Sequence, residues 1–483
     1  MGRYPFLGFS AISKLEKHPL AFSPLKRDLI EMARLDQLPV ELIQQICSLL
    51  CPHCLGSDAD WFKPLTFEAE DRIKIREGHH ALAALCRTSG YLRSVAESYL
   101  HHFIYQWKAT ELSLASTTQA LTSRPYLGQA VKTVEIRGDR VGCLSRAFAS
   151  HFEDVAAGYH VKLPEGWAES DDPKVRSSVI LQLLLLHICG AKDVSFTLRL
   201  CADFDILEAV QAAAANSGNE ASCFLPKLHR LAVYFCGPTE SRLGLLAPLL
   251  RLAPNLSTLC LQGAQACETG RGMRLAGVTI LNLDMCNFNP DALAGLIGSC
   301  SRLEVLNMKW DTRGPIANKY GLQPHHVLGS LQKHKESLRS LSMDVIRSDP
   351  WCPPADLSLV NFSNLESLWI NFNELRASDE NGWSAAAFFL PRLLPQSLRR
   401  LYLLDDALNV GFDFAGLDVL MKQGEFPELA EIACFYDRIG TPQAGNVTTS
   451  PADGNRFVAL RGGRGGSKLV KSPNMFNPMR SWH

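Results

Sequence analysis

Residues 278–308 read VTILNLDMCNFNPDALAGLIGSCSRLEVLNM. The stretch opens and closes on one six-residue pattern, VTILNL from Val278 and LEVLNM from Leu303, with apolar residues at the first, fourth and sixth places. Side chains alternate across a strand, so the fourth and sixth residues share one face. The intervening NPDALAGLIGSC carries its apolar residues at helical spacing and reads as the return segment. A unit this small cannot bury its apolar face alone and must stack on neighbours.

The pattern recurs as LHRLAV at Leu228, LSTLCL at Leu256, LRSLSM at Leu338, LESLWI at Leu365, LRRLYL at Leu398 and LAEIAC at Leu429. Weaker copies, VKTVEI at Val131 and AKDVSF at Ala191, lie upstream. The eight clear copies start about 22 to 35 residues apart, many introduced by Pro or Ser, and PHHVLGSLQKH is a second helical return. Cys236, Cys286 and Asn373 fall where a leucine-rich repeat uses Asn or Cys to bond the turn backbone, and Asp311, Asp406 and Asp437 share that offset. The pattern predicts an α/β repeat, an irregular leucine-rich repeat solenoid over residues 108–437.

Residues between the inward pair would face the concave surface. That row holds Tyr234, Gln262, Asn282, Asp284, Asn307, Lys309, Asp344, Trp369, Asn371 and Tyr402. Polar residues mixed with aromatics suit a protein-recognition surface, although a merely solvated face has the same composition. Trp369 stands out as an anchor, because an exposed Trp is costly without a partner.

The N-terminal part has another character. Residues 35–55 read LDQLPVELIQQICSLLCPHCL. Pro39 suits a first helical turn and Asp36 is placed to cap it. Leu42, Ile46 and Leu49 then form one apolar face, with Ile43, Cys47 and Leu50 forming a second beside it. So wide a stripe demands both an internal core and an external partner. A second helical segment follows, HALAALCRTSGYLRSVAESYLHHFIYQW, broken at Ser89-Gly90, with Leu92, Val95, Tyr99, Leu100 and Phe103 at helical spacing.

These residues resemble the F-box family, its fungal form especially. Leu38, Pro39, Glu41, Leu42, Ile43, Ile46, Leu85, Cys86 and Arg87 match its Leu-Pro-x-Glu-Leu corner and Leu-Cys-(Lys/Arg)-x-(Ser/Thr) turn. An insert from Cys51 to Gly78 departs from the family pattern, as does Tyr91 near where many members carry Trp. The resemblance implies a small helical F-box bundle over residues 34–107, docking the Skp adaptor through Leu38, Pro39, Glu41, Leu42, Ile43, Ile46 and Leu49. Cullin and RING subunits would follow through that adaptor, and the repeats would hold an unidentified target protein. The alternative is that the same helix is the first core helix of the following domain.

Cys51-x-x-Cys54 has a spacing that zinc sites use, with His53, His79, His80 and Cys86 downstream. Neighbouring side chains such as His79 and His80 diverge, and no second Cys-x-x-Cys exists. A redox motif would open a helix rather than end one. A packed turn is therefore expected, no metal is assigned, and Cys51 and Cys54 remain the zinc candidates.

Composition is that of a folded protein. Lys plus Arg and Asp plus Glu both number 49, so global charge points neither to nucleic acid nor to anionic membrane. The 15 cysteines lack disulfide-scaffold spacing and read as buried thiols of a cytoplasmic or nuclear protein. The apolar run from Val179 is too short for a bilayer and reads as a buried helix. Enzyme signatures are missing, among them the G-x-S-x-G elbow, H-E-x-x-H, the phosphate loop and the Rossmann glycines. Residues 1–33 read as a flexible segment and 438–483, containing RGGRGG, as a disordered basic tail. The expected function is a non-enzymatic substrate receptor of a cullin-RING ubiquitin ligase, without cofactor or membrane partner. The alternatives are a repeat scaffold unconnected with ubiquitin and an RNA-associated protein using the tail.

Overall fold

A computed structural model describes residues 35–55, 69–106, 111–137, 146–199, 204–216, 224–236, 243–266, 273–309, 322–344, 358–371, 394–405, 423–437 and 456–462. The expected flexible segment 1–33 and most of the expected tail lie outside these residues, as do Asp311, Asn373 and Asp406. The chain divides into two compact units, one ending at Leu100 and the other beginning at His101.

The first unit is helical. A 3-10 turn at Leu35–Gln37 leads into α1, Val40–Leu50, followed by α2, Pro52–Leu55, α3, Ala69–Thr88, and α4, Gly90–His102. Since α4 is a single helix, its last turn carries it two residues past the division. Pro39 occupies the N-cap of α1 rather than its first turn, and no side chain caps that end, so Asp36 does not take the capping role expected of it. Ser89 starts α4 instead: its Oγ accepts from Leu92 N–H at 3.1 Å. Ile43, Cys47 and Cys51 pack with Leu82, Cys86, Leu92, Val95 and Ala96. The helices approach closely at Gly78, where a Cβ would run into the Leu50 carbonyl oxygen.

The second unit is built on a twelve-stranded sheet. Its strands are β1 Phe103–Gln106, β2 Thr133–Ile136, β3 Asp193–Arg199, β4 Arg230–Cys236, β5 Thr258–Gln262, β6 Ile280–Asp284, β7 Val305–Lys309, β8 Ser340–Asp344, β9 Ser367–Asn371, β10 Arg400–Asp405, β11 Glu431–Asp437 and β12 Arg456–Gly462. All pairings are parallel and the strands lie in chain order. Parallel neighbours need crossover segments, and the chain supplies them as helices and irregular returns. Leu231, Leu259, Leu281, Leu306, Leu341, Leu368 and Leu401 stand in register across seven strands, all buried in one core.

The helix Pro173–His187 contributes to that core. The apolar run from Val179 is thus a buried helix, as expected. Gln182 is its one deeply buried amide, and its Oε1 accepts from Ile206 N–H at 3.0 Å and Leu207 N–H at 3.2 Å, starting the helix Asp205–Asn216. No described helix is long and apolar enough to cross a membrane.

This architecture overturns the expected fold class, a small helical F-box bundle followed by an irregular leucine-rich repeat solenoid. The protein is α/β: an all-parallel sheet with interleaved helices of unequal length and number. The return between β2 and β3 carries two long helices, Arg146–Gly158 and Pro173–His187, whereas the return between β5 and β6 has none among its described residues. The six-residue pattern reports a strand with one buried face; it carries no information on how the return is built. Phe103, read as the end of a helical aromatic cluster, opens β1, because the β-favouring Phe-Ile-Tyr run pairs with Thr133–Glu135. Arg456–Gly462, read as part of the tail, pairs with β11 along its length.

Candidate functional site

The first candidate is the outward face of α1. Ile43 and Cys47 are 1% and 0% exposed, while Leu42 and Leu49, one face further round, are 44% and 65% exposed. Ile46 is half-buried on the same line, Val40 is exposed on the opposite side of the helix, and Leu35, Pro39 and Glu41 are exposed near its start. Leu38 is half-buried, its carbonyl accepting from the Tyr91 hydroxyl at 3.3 Å, which ties the start of α1 to α4. Of the residues expected to dock a partner, Ile43 is corrected. It belongs to the unit's own core, since the i, i+4 pair Ile43 and Cys47 is the face that α3 and α4 cover.

The second candidate is the sheet face opposite the leucines. Register sets Cys260, Asn282, Asn307, Ser342, Trp369 and Tyr402 side by side, one to a strand. A second row sets Tyr234, Gln262, Asp284, Lys309 and Asp344 in line, and Asn371 occupies the same place in β9. These rows are coupled along the sheet. Asn307 Nδ2 donates to Asn282 Oδ1 at 2.7 Å, Asn282 Nδ2 to Cys260 Sγ at 3.1 Å, and Gln262 Nε2 to Asp284 Oδ2 at 2.8 Å.

Trp369 is not the exposed anchor that its sequence position suggests. It is 3% exposed and stacks on Tyr402 at 5.1 Å and 28°. Tyr234, Asn282, Asp284 and Tyr402 are buried too, whereas Gln262, Asn307, Lys309 and Cys260 are half-buried. Sequence reasoning missed Arg137 and Glu135, paired at 2.7 Å at the start of the same face. The Arg137 guanidinium lies over the Tyr234 ring at 4.9 Å from its centroid. Burial pushes the Tyr234 hydroxyl above its ordinary pKa, and Arg137 opposes the shift.

Cys286 takes the backbone-bonding role expected of it, its Sγ donating to Leu261 O at 3.2 Å. Turn geometry beside it depends on Gly263, at φ 70°, where a Cβ would stand 2.8 Å from Phe235 O. Burial raises the Cys260 thiol pKa to about 11 and that of Cys47 also to about 11, so neither is a ready nucleophile.

The third candidate is the turn after α1, where Cys51, His53 and Cys54 stand together and Cys54 Sγ lies 3.8 Å from His53 Nδ1. Helix α2 supplies or adjoins all three. The other sequence candidates lie elsewhere, with Cys86 in the core and His80 exposed.

No family model matches the chain, and no curated protein sequence matches it.

Proposed function

We propose that this protein is a non-enzymatic substrate receptor of a cullin-RING ubiquitin ligase, bound to a Skp-type adaptor through α1. The observation that carries the reading is the exposed apolar line of Leu42 and Leu49 beside a buried Ile43 and Cys47. The helix has one face for its own core and a second, adjacent apolar face turned to solvent, which is the arrangement an F-box-type docking helix requires. Leu38, Pro39 and Glu41 frame its start, and Ile46 links the two leucines. A target protein would be held by the far face of the sheet, with Gln262, Asn307 and Lys309 as its accessible groups. Tethering of this kind raises the target's effective concentration near the loaded ubiquitin-conjugating enzyme without any chemistry from the receptor itself. Its place of action would be the cytoplasm or nucleus, where such ligases work.

The test uses the full chain and a purified Skp adaptor in a calorimetric titration. Leu42→Asp with Leu49→Asp should remove binding, a loss of about 2 kcal/mol or more for each buried anchor. Both positions are exposed, so circular dichroism and melting should be unchanged. Absence of adaptor binding by the unaltered protein would overturn the reading.

A further inference from the structure

We propose that Cys51 and Cys54 form a reversible oxidation site, a dithiol that a hydroperoxide converts to a disulfide. The two residues share one turn. Cys51 N–H donates to Cys47 O at 2.9 Å, ending α1, and Cys51 O accepts from Cys54 N–H at 3.0 Å and from Leu55 N–H at 3.2 Å. The pair therefore does not simply end a helix, as its sequence position suggests, because Cys51 also starts the turn that follows. Pro52 and His53 are helical between the cysteines, which sets the two Cα atoms about 5 Å apart. A disulfide spans roughly 4.4–6.8 Å between Cα atoms, so the backbone is already in range. Cys51 Sγ, His53 Nδ1 and Cys54 Sγ lie within 4.8 Å of one another. Side-chain rotation is what remains to bring the sulfurs to the ~2.05 Å of an S–S bond.

The two thiols differ in a way that assigns their roles. Among the described cysteines Cys54 alone is exposed. Its Sγ stands 3.8 Å from His53 Nδ1, which is placed to take the thiol proton. Cys51 is 0% exposed, and burial pushes its thiol pKa up to about 12. Cys54 is thus the attacking sulfur and Cys51 the resolving one. In the first step the Cys54 thiolate attacks the terminal oxygen of the hydroperoxide. An S–O bond forms, the O–O bond breaks, and the leaving alkoxide or hydroxide takes the proton from His53. In the second step Cys51 sulfur attacks the Cys54 sulfenic sulfur. The S–S bond forms, the S–O bond breaks, and the departing hydroxide leaves as water with the Cys51 proton. Two thiols have lost two electrons and two protons, and the hydroperoxide has been reduced to an alcohol or water and one further water. A thiol reductant reverses the oxidation by exchange.

Neither cysteine belongs to the Leu42, Ile46 and Leu49 line, so this site is tested apart from adaptor binding. Full-length protein is reduced, desalted and treated with stoichiometric hydrogen peroxide, and its thiols are mapped by differential alkylation and peptide mass spectrometry. Cys51 and Cys54 should become protected together, joined by a disulfide that dithiothreitol reopens, while buried Cys47 and Cys86 and half-buried Cys189 stay alkylatable after unfolding. Cys54→Ser, a change at an exposed position, should abolish the oxidation. Cys51→Ser should stop it at a Cys54 sulfenic acid that dimedone traps. Should that variant fold poorly, the disulfide map of the unaltered chain decides. Both thiols remaining alkylatable would overturn the proposal, as would a disulfide to Cys47 or oxidation of Cys189 ahead of the pair.

Discussion

The outward face of α1 and the far face of the sheet invert the usual relation between polarity and exposure. On α1, Leu42 and Leu49 are apolar and open to water. On the sheet, Asn282, Asp284, Ser342 and Glu135 are polar or charged and almost fully buried. Several of the sheet's groups are paired from strand to strand, as with Asn307 to Asn282 and Gln262 to Asp284, so burial is offset by hydrogen bonds. The helix's leucines have no such compensation among the described residues of their own unit. An exposed apolar line calls for an external partner, while a buried polar row is a finished part of the structure, accessible only at its half-buried members.

Four variants separate these two situations. Trp369→Ala should cost the most, about 3–5 kcal/mol in urea denaturation, because it empties a buried site and removes the stack on Tyr402. A cost near zero would mean that the row is looser than its burial indicates. Asn282→Ala should cost about 1–3 kcal/mol, since it strips both the acceptor from Asn307 Nδ2 and the donor to Cys260 Sγ.

A smaller effect is expected at His334, where buried polarity depends on pH. Its Nδ1 accepts from Leu303 N–H at 3.3 Å, and its Nε2 sits 3.1 Å from Ile297 O, a pairing that fits the neutral ring. Burial lowers its pKa below the ordinary 6.5, partly opposed by the bond to Ile297. The unfolded chain then takes up the proton first as pH falls. Stability from the neutral ring is complete above the ordinary value and is lost as pH drops through it. Melting temperature should therefore fall between about pH 7.5 and 5.5, and the fall should be shallower in His334→Gln. Smallest of all, Leu42→Asp with Leu49→Asp should leave stability within about 0.5 kcal/mol for each site while adaptor binding disappears. Marked destabilisation by that pair would show α1's outer face to be a core surface and break the comparison.

The strands were legible in the sequence because each LxxLxL run obeys a local rule: alternate residues share a face, and a one-sided core selects apolar residues there. The register row was legible in part for the same reason, since Asn282, Asn307, Trp369 and Tyr402 hold the same place in their copies, while Cys260 and Ser342, which share it, were not in the expected row. Fold class was not, because it depends on the returns, which the pattern does not describe. Trp369 was misjudged because its exposure is set by Tyr402, a neighbour in space supplied by the next strand. Likewise Ile43 and Leu42, adjacent in sequence and equally apolar, were assigned to one docking surface. Only the positions of α3 and α4 decide which of them is covered.

The order of the strands bears on how the protein is made. Every strand from β2 onward pairs with the one synthesised just before it. In a sheet wound outward from its middle, early strands must wait for partners encoded much later. Here each strand can dock as soon as it clears the ribosome, at a synthesis rate of about 5–20 residues per second. The growing edge is then capped continually by nascent chain, and the stretch of unpaired parallel strand open to aggregation is never more than one strand wide.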